Sequence, residues 1–242
     1  FGRVGLELAI RYGWNERIGS QFRSCIVDAL FELGRYEEAE PIARPVLAGA
    51  GFHHTIQWMG TTMARVAVAQ GRLEEAHRLV DHIDPTWSTW EEDIFAIVAM
   101  VDLARAESRF AFVTSAVEAT VEGVLDREVV SPTWGLLGLG VGACADRIVL
   151  ARRRRRPADV EAAAEQADRW LAILRTVVER PRAEGGAGPF AEAILATAEA
   201  EMSRVRGAPD PPPWAEVVEQ WAALSHPFQA AYARLRLAEA IL

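Results

Sequence analysis

The heptapeptide Leu33-Gly34-Arg35-Tyr36-Glu37-Glu38-Ala39 returns nearly unchanged as Gln70-Gly71-Arg72-Leu73-Glu74-Glu75-Ala76, with the two glycines 37 positions apart. A further step of 37 reaches Ser108-Arg109-Phe110, a decayed third copy. A fixed step of this size marks stacked units, each too small to bury its own apolar face. Glycine stops one helix, and the Glu pair suits the positive first turn of the next. Each copy is therefore the turn inside a helix-turn-helix unit. A small residue recurs where the two helices should cross (Ala39, Ala76, then Val113). A large apolar residue follows the turn each time to plug the corner (Tyr36, Leu73, Phe110).

Apolar residues at three- and four-residue spacing extend this reading along the chain. Helices are expected over 3–12, 16–33, 36–48, 54–69, 72–83, 90–107, 109–122, 132–154, 157–179, 189–206 and 212–224, with a last one from Pro227. Pro45 is expected to kink its helix or shorten it to Arg44. Asp84-Pro85 should close the second pair, with Trp87 and Trp90 in or beside the linker. Ser131-Pro132 is a good helix start. Arg182 to Gly188 reads as a Gly-rich loop, and Gly207 to Pro213 as a connection. Val129-Val130 is too short for a strand. The expected fold is all-α with no sheet: a tetratricopeptide-like α-solenoid of about five antiparallel helix pairs. Residues 1–242 form a single helical-repeat array, with regular pairs over 16–122 and longer, irregular pairs over 131–242. The chain opens on Phe1 and closes inside a helical pattern, so it is expected to be a fragment of a larger protein.

Composition narrows the chemistry. All 26 basic residues are Arg, so neither a Walker A phosphate loop nor a Schiff-base lysine can be built here. A net charge of −8 argues against nucleic-acid binding. Cys25 and Cys144 lie in apolar helical stretches and are expected to be buried, reduced thiols, which fits a cytoplasmic protein. No apolar run is expected to span a bilayer. Gly138-Leu139-Gly140-Val141-Gly142-Ala143 matches a dinucleotide-loop spacing, but a helix start precedes it rather than a strand; small residues on a tightly packed helix explain it better. Arg152 to Arg156 reads as a helix C-terminal charge run ahead of Pro157, with contact to an acidic partner or nucleic acid as the other option. The histidines 53, 54, 77, 82 and 226 have no metal-ligand spacing. Ser115 and Ser203 lack a nucleophile elbow. No catalytic residue, metal or cofactor is expected.

The remaining candidate is the face made by the first helix of each pair. In register, the positions expected to be exposed there are Gln21, Asp28 and Phe31; Trp58, Thr61 and Arg65; and Phe95, Asp102 and Arg105. The column Asp28, Arg65, Asp102 alternates in charge. It reads either as ion pairing between repeats or as the polar floor of a groove, beside Trp58 and Phe95, for a peptide or small ligand.

Three stretches also carry a resemblance. Trp214, Trp221, Leu224, Pro227-Phe228, Ala231-Tyr232, Leu235-Arg236 and Ala238-Glu239-Ala240-Ile241-Leu242 form a spaced tail. With Gly5-Leu6-Glu7-Leu8-Ala9 and the segment Ala29 to Ala39, this tail resembles the helical-repeat part of large ATP-binding regulators of the LuxR family, best known from actinobacteria. The resemblance implies an ATPase module before this segment and a helix-turn-helix DNA reader after it, in the same full-length chain. It implies a cytoplasmic sensing scaffold, not an enzyme, that takes a protein or small-molecule inducer in its concave groove, with no direct nucleic-acid or membrane contact. A free-standing tetratricopeptide-like adaptor for peptide partners is the alternative.

Overall fold

The computed structural model describes residues 1–49, 52–82, 90–124, 131–183, 188–208 and 210–242. Among these, all regular structure is helical. The helices are α1 (Gly2–Arg11), α2 (Ile18–Glu32), α3 (Tyr36–Leu47), α4 (His53–Ala69), α5 (Leu73–Val80) and α6 (Trp90–Ala106). They continue as α7 (Phe110–Val124), α8 (Ser131–Arg153), α9 (Pro157–Ala183), α10 (Pro189–Arg206), α11 (Pro211–Ala223) and α12 (Pro227–Ile241). Asp84-Pro85, Trp87, Val129-Val130 and most of the expected 182–188 loop lie outside the described residues, as does the side chain of Trp90. Arg182 itself belongs to α9, which runs past its expected end.

The repeated turn has one geometry. Gly34, Gly71 and Ser108 all adopt left-handed backbone, with φ of 67°, 73° and 59°. Arg155 and Ser225 do the same, at 55° and 60°. In each case one residue follows and then a new helix begins. That residue donates its N–H to a carbonyl five positions back: Arg35 to Leu30, Arg72 to Ala67, Arg109 to Ala104, Arg156 to Ala151 and His226 to Trp221, at 2.7–3.0 Å. The left-handed residue bonds three positions back. This is the Schellman arrangement, which satisfies the last carbonyls of a helix without water. Gly13 and Gly207, at φ 74° and 73°, carry the same pair of bonds before longer connections, so seven connections among the described residues use one device, four of them with glycine at the critical position.

Contacts divide the chain into two compact units, Phe1–Leu103 and Ala104–Leu242, with the boundary inside α6. In the first unit α1 packs on α2, α2 on α3, α4 on α5, and α4 also on both α2 and α3. Its core joins Val27, Leu30 and Phe31 of α2 to Ala39, Ala43 and Val46 of α3 and to Met59, Met63 and Val66 of α4. The recurring small residues Ala39, Ala76 and Val113 are buried as expected, and Tyr36, Leu73 and Phe110 are half-buried. Pro45 does not shorten α3 to Arg44: the helix runs through Pro41 and Pro45 to Leu47. Four-residue spacing places both prolines on the exposed face, where the carbonyls they leave unbonded meet water.

In the second unit α8 packs on α7, α9 and α10, α10 also on α9 and α11, and α11 on α12. The glycines of α8 serve close approach. An added Cβ would come within 2.9 Å of Ile194 at Gly138, 2.8 Å of Trp170 at Gly140 and 2.9 Å of Arg105 at Gly142. By length and composition the stretch Thr133–Arg153 is apolar enough to cross a membrane, which corrects the expectation that no run is. Its Leu136, Leu137, Val141 and Ile148 are core residues of this unit. The thiols also depart from expectation: Cys144 is buried, but Cys25 is exposed.

The turn geometry makes a paired prediction. At Gly71 an added Cβ would meet nothing within 4 Å, so Gly71→Ala carries only the conformational cost. Urea unfolding should show a loss of about 1–2 kcal/mol. Ser108→Gly should move stability the other way, by up to about 1 kcal/mol. Equal effects of one sign at both positions would contradict a shared left-handed turn.

Candidate functional site

The 37-residue step brings Asp28, Arg65 and Asp102 onto α2, α4 and α6 of the first unit, and all three are half-buried. Arg65 Nε donates to Asp102 Oδ2 at 3.0 Å. Its Nη1 lies 3.9 Å from Glu32 Oε1, and its guanidinium sits 4.4 Å above the Phe31 ring. Burial works against the charge on Arg65, but Asp102 and Glu32 more than compensate, and its pKa is held above the ordinary value. The ion-pairing reading of the column is thus realised between Arg65 and Asp102. Asp28 is held differently. Thr62 Oγ1 donates to its Oδ1 at 2.5 Å, and the Trp58 side chain also bonds it. Burial dominates over these bonds and over the pull of Arg65, and raises the Asp28 carboxyl to about 6.

Trp58 and Phe95 stack on one another, with centroids 6.2 Å apart and planes 18° from parallel. Phe95 is 39% exposed, and Gln21 is exposed as well. Three expected positions are elsewhere. Phe31 and Thr61 are only 6% and 4% exposed, so neither lies open on the face. Phe31 is core under the Arg65 guanidinium, and Thr61 Oγ1 turns back onto the Gln57 carbonyl at 3.0 Å. Alignment in register does not decide which way a helix rolls.

Arg105 is the third departure. It belongs to a charged knot within the second unit. Asp146, on apolar α8, accepts from Arg105 Nε at 2.9 Å, Arg204 Nη2 at 2.7 Å and Arg236 Nη2 at 3.2 Å. Glu201, 1% exposed, accepts from Arg204 Nη1 at 2.6 Å and from the Tyr232 hydroxyl. Arg105 Nη2 donates to the same hydroxyl at 2.8 Å. Arg236 Nη1 reaches Glu239 at 2.8 Å. Burial opposes the charge of Asp146, yet the three guanidiniums hold its carboxyl below the usual range. Burial, with Glu201 and Asp146 nearby, pushes Tyr232 up to about 12. Three guanidiniums meet three carboxylates, which leaves no net charge to draw in an anion. The knot ties the last turn of α6, α8, α10 and α12 together.

Asp146, Glu201, Arg204, Tyr232 and Arg236 escaped the sequence reading. One usable signal was Asp146 itself, a lone carboxylate amid an apolar run that cannot remain unpaired. Another was the helical spacing of Glu201 with Arg204 and of Tyr232 with Arg236. Among the described residues no group of three or more His, Cys, Asp or Glu is placed to hold a metal ion. The dinucleotide-like glycines lie within α8, and Arg105 and Trp170 occupy the space a Cβ would need. Comparison with family models, curated proteins and solved structures finds no match to the chain.

Two measurements test these arrangements. Asp146→Asn leaves buried guanidiniums facing a neutral amide, and chemical denaturation should show a loss of about 3 kcal/mol. A loss under about 1 kcal/mol would mean that the pairs behave as surface pairs. For Asp28, the folded value of about 6 lies above the ordinary 3.8. The folded chain therefore binds more protons between about pH 4 and 6, and this group's contribution falls as pH rises through that window. Asp28→Asn, which mimics the protonated acid, should remove that decline. It should gain on the order of 1 kcal/mol over the parent at pH 7, after allowance for solvent screening.

Proposed function

We propose that this chain is the ligand- or protein-sensing scaffold domain of a bacterial transcriptional regulator, without catalytic activity of its own and acting in the cytoplasm. In this reading the helix pairs form a tetratricopeptide-like α-solenoid. The observation that carries it is the aromatic pair Trp58–Phe95. Both residues sit on first helices, 37 positions apart, and Phe95 is partly open to solvent. Trp58 is bonded to the perturbed carboxyl of Asp28. A partly exposed aromatic pair beside a titratable acid, with Gln21 on the surface of α2, offers stacking area and hydrogen-bonding capacity together. That combination suits recognition of a peptide or small molecule. The buried charges around it are already committed to one another, which favours binding over reaction. The tail from Trp214 to Leu242, through its resemblance to the LuxR-family regulators, supplies the regulatory context.

A thermal-shift screen of peptides and small metabolites against the parent chain, Trp58→Ala and Gln21→Ala tests the face. Trp58→Ala should lower the unliganded midpoint by a few degrees, roughly the loss of one partly buried aromatic contact. It should also abolish the response to any ligand that shifts the parent. An undiminished response in both variants would remove this face from the proposal. Flanking coding sequence tests the context: a Walker A loop upstream and a helix-turn-helix downstream support the regulator. A chain encoded without them is instead a free-standing adaptor.

A further inference from the structure

The α8–α9 corner of the second unit carries Arg152, Arg153, Arg154, Arg155 and Arg156, all exposed, in a chain whose net charge is −8. Arg152 is fixed. Its Nη1 donates to the Arg204 carbonyl at 2.8 Å and its Nη2 to the Val205 carbonyl at 2.6 Å, capping the end of α10. The guanidinium lies 3.0 Å from the place a Cβ would take at Gly207, so that turn needs glycine both for its φ of 73° and for this approach. Arg206, exposed beside it, adds a further cation. Arg155 occupies the left-handed position of the recurrent turn, at φ 55°. For a long side chain this costs about 1–2 kcal/mol relative to glycine.

An open cleft lies against this corner, lined by Arg152, Arg155, Arg156, Pro157, Val160 and Glu161. Its apolar part is Pro157, Val160 and the arginine stems. Asp159 takes part of the charge of Arg156, at 3.8 Å. Arg153, Arg154 and Arg155 have solvent-exposed cationic heads. We propose that this corner is a docking site for an acidic peptide segment that places an aliphatic or aromatic side chain against Pro157 and Val160 and its carboxylates on Arg153, Arg155 and Arg156. Charge complementarity selects an anionic partner. Guanidinium forks suit carboxylates. Glu161 on the rim works against a phosphate backbone, while a peptide can turn an amide N–H toward it. The site uses second-unit residues only and does not depend on the Trp58–Phe95 face being a sensor.

The test is fluorescence anisotropy with the full 242-residue chain. The probe is a fluorescein-labelled peptide alternating Glu with Leu; the controls are its Gln-for-Glu counterpart and a single-stranded oligonucleotide of equal charge. The acidic peptide should bind and should weaken as salt is raised. Arg155→Gly should reduce affinity roughly threefold while leaving the unfolding midpoint unchanged or higher, because glycine suits the turn. Arg153→Ser combined with Arg156→Ser should reduce it by roughly tenfold. The unfolding midpoint separates lost binding from lost fold. Absence of binding, unchanged affinity in these variants, equal binding of the Gln peptide, or tighter binding of the oligonucleotide would each overturn the proposal.

Discussion

The hydrogen bond from the residue after a left-handed turn to a carbonyl five positions back recurs throughout this chain. At Gly34, Gly71, Ser108, Arg155 and Ser225 it closes one helix and admits the next after a single residue. The acceptor carbonyls belong to Leu30, Ala67, Ala104, Ala151 and Trp221, all buried. A buried carbonyl left unbonded costs more than a typical bond contributes, so the turn is what allows these helix ends to enter the core. It also fixes how sharply consecutive helices reverse. The contacts of α4 with both α2 and α3, and of α10 with both α8 and α9, are the packing such reversals permit.

Charge is handled differently in the two units. In the first, the alternating column is a half-buried Arg65–Asp102 pair resting on Phe31, with Asp28 turned aside to Thr62 and Trp58. In the second, Asp146 gathers three guanidiniums and Glu201 is almost fully enclosed. There the cost of desolvation is large, and only a complete set of partners offsets it. The knot joins α10 and α12 to α8 through the one carboxylate of Asp146.

Much of the helical layout was legible because the cues are local. A glycine step, a Glu pair and apolar residues at three- and four-residue spacing placed twelve helices within a few residues of their observed ends, among the described residues. The Asp28–Arg65–Asp102 column was legible for the same reason, since a constant step fixes register. Roll about each helix axis is not local. It is set by which neighbour packs hardest, so Phe31 and Thr61 turn inward and Cys25 turns outward. The knot was illegible because its partners are far apart and irregularly spaced. Arg105 meets Asp146 at a separation of 41 residues and Tyr232 at 127.

The distribution of satisfied and unsatisfied groups bears on what such a chain can do. The perturbed groups of the second unit, Asp146, Tyr232 and the guanidiniums of Arg105 and Arg204, are bonded to one another, and the Cys144 thiol is pushed up to about 12 by burial. Asp28 is perturbed too, but its carboxylate is held by Thr62 and Trp58. Solvent instead meets the edge of Phe95, the amide of Gln21 and the arginines of the α8–α9 corner. Stacking surface, an amide and multiple guanidiniums are groups able to hold a partner, while the paired charges inside serve packing. The strain accepted at Arg155 fits the same division: the turn would fold more easily with glycine, and a cation stands there instead.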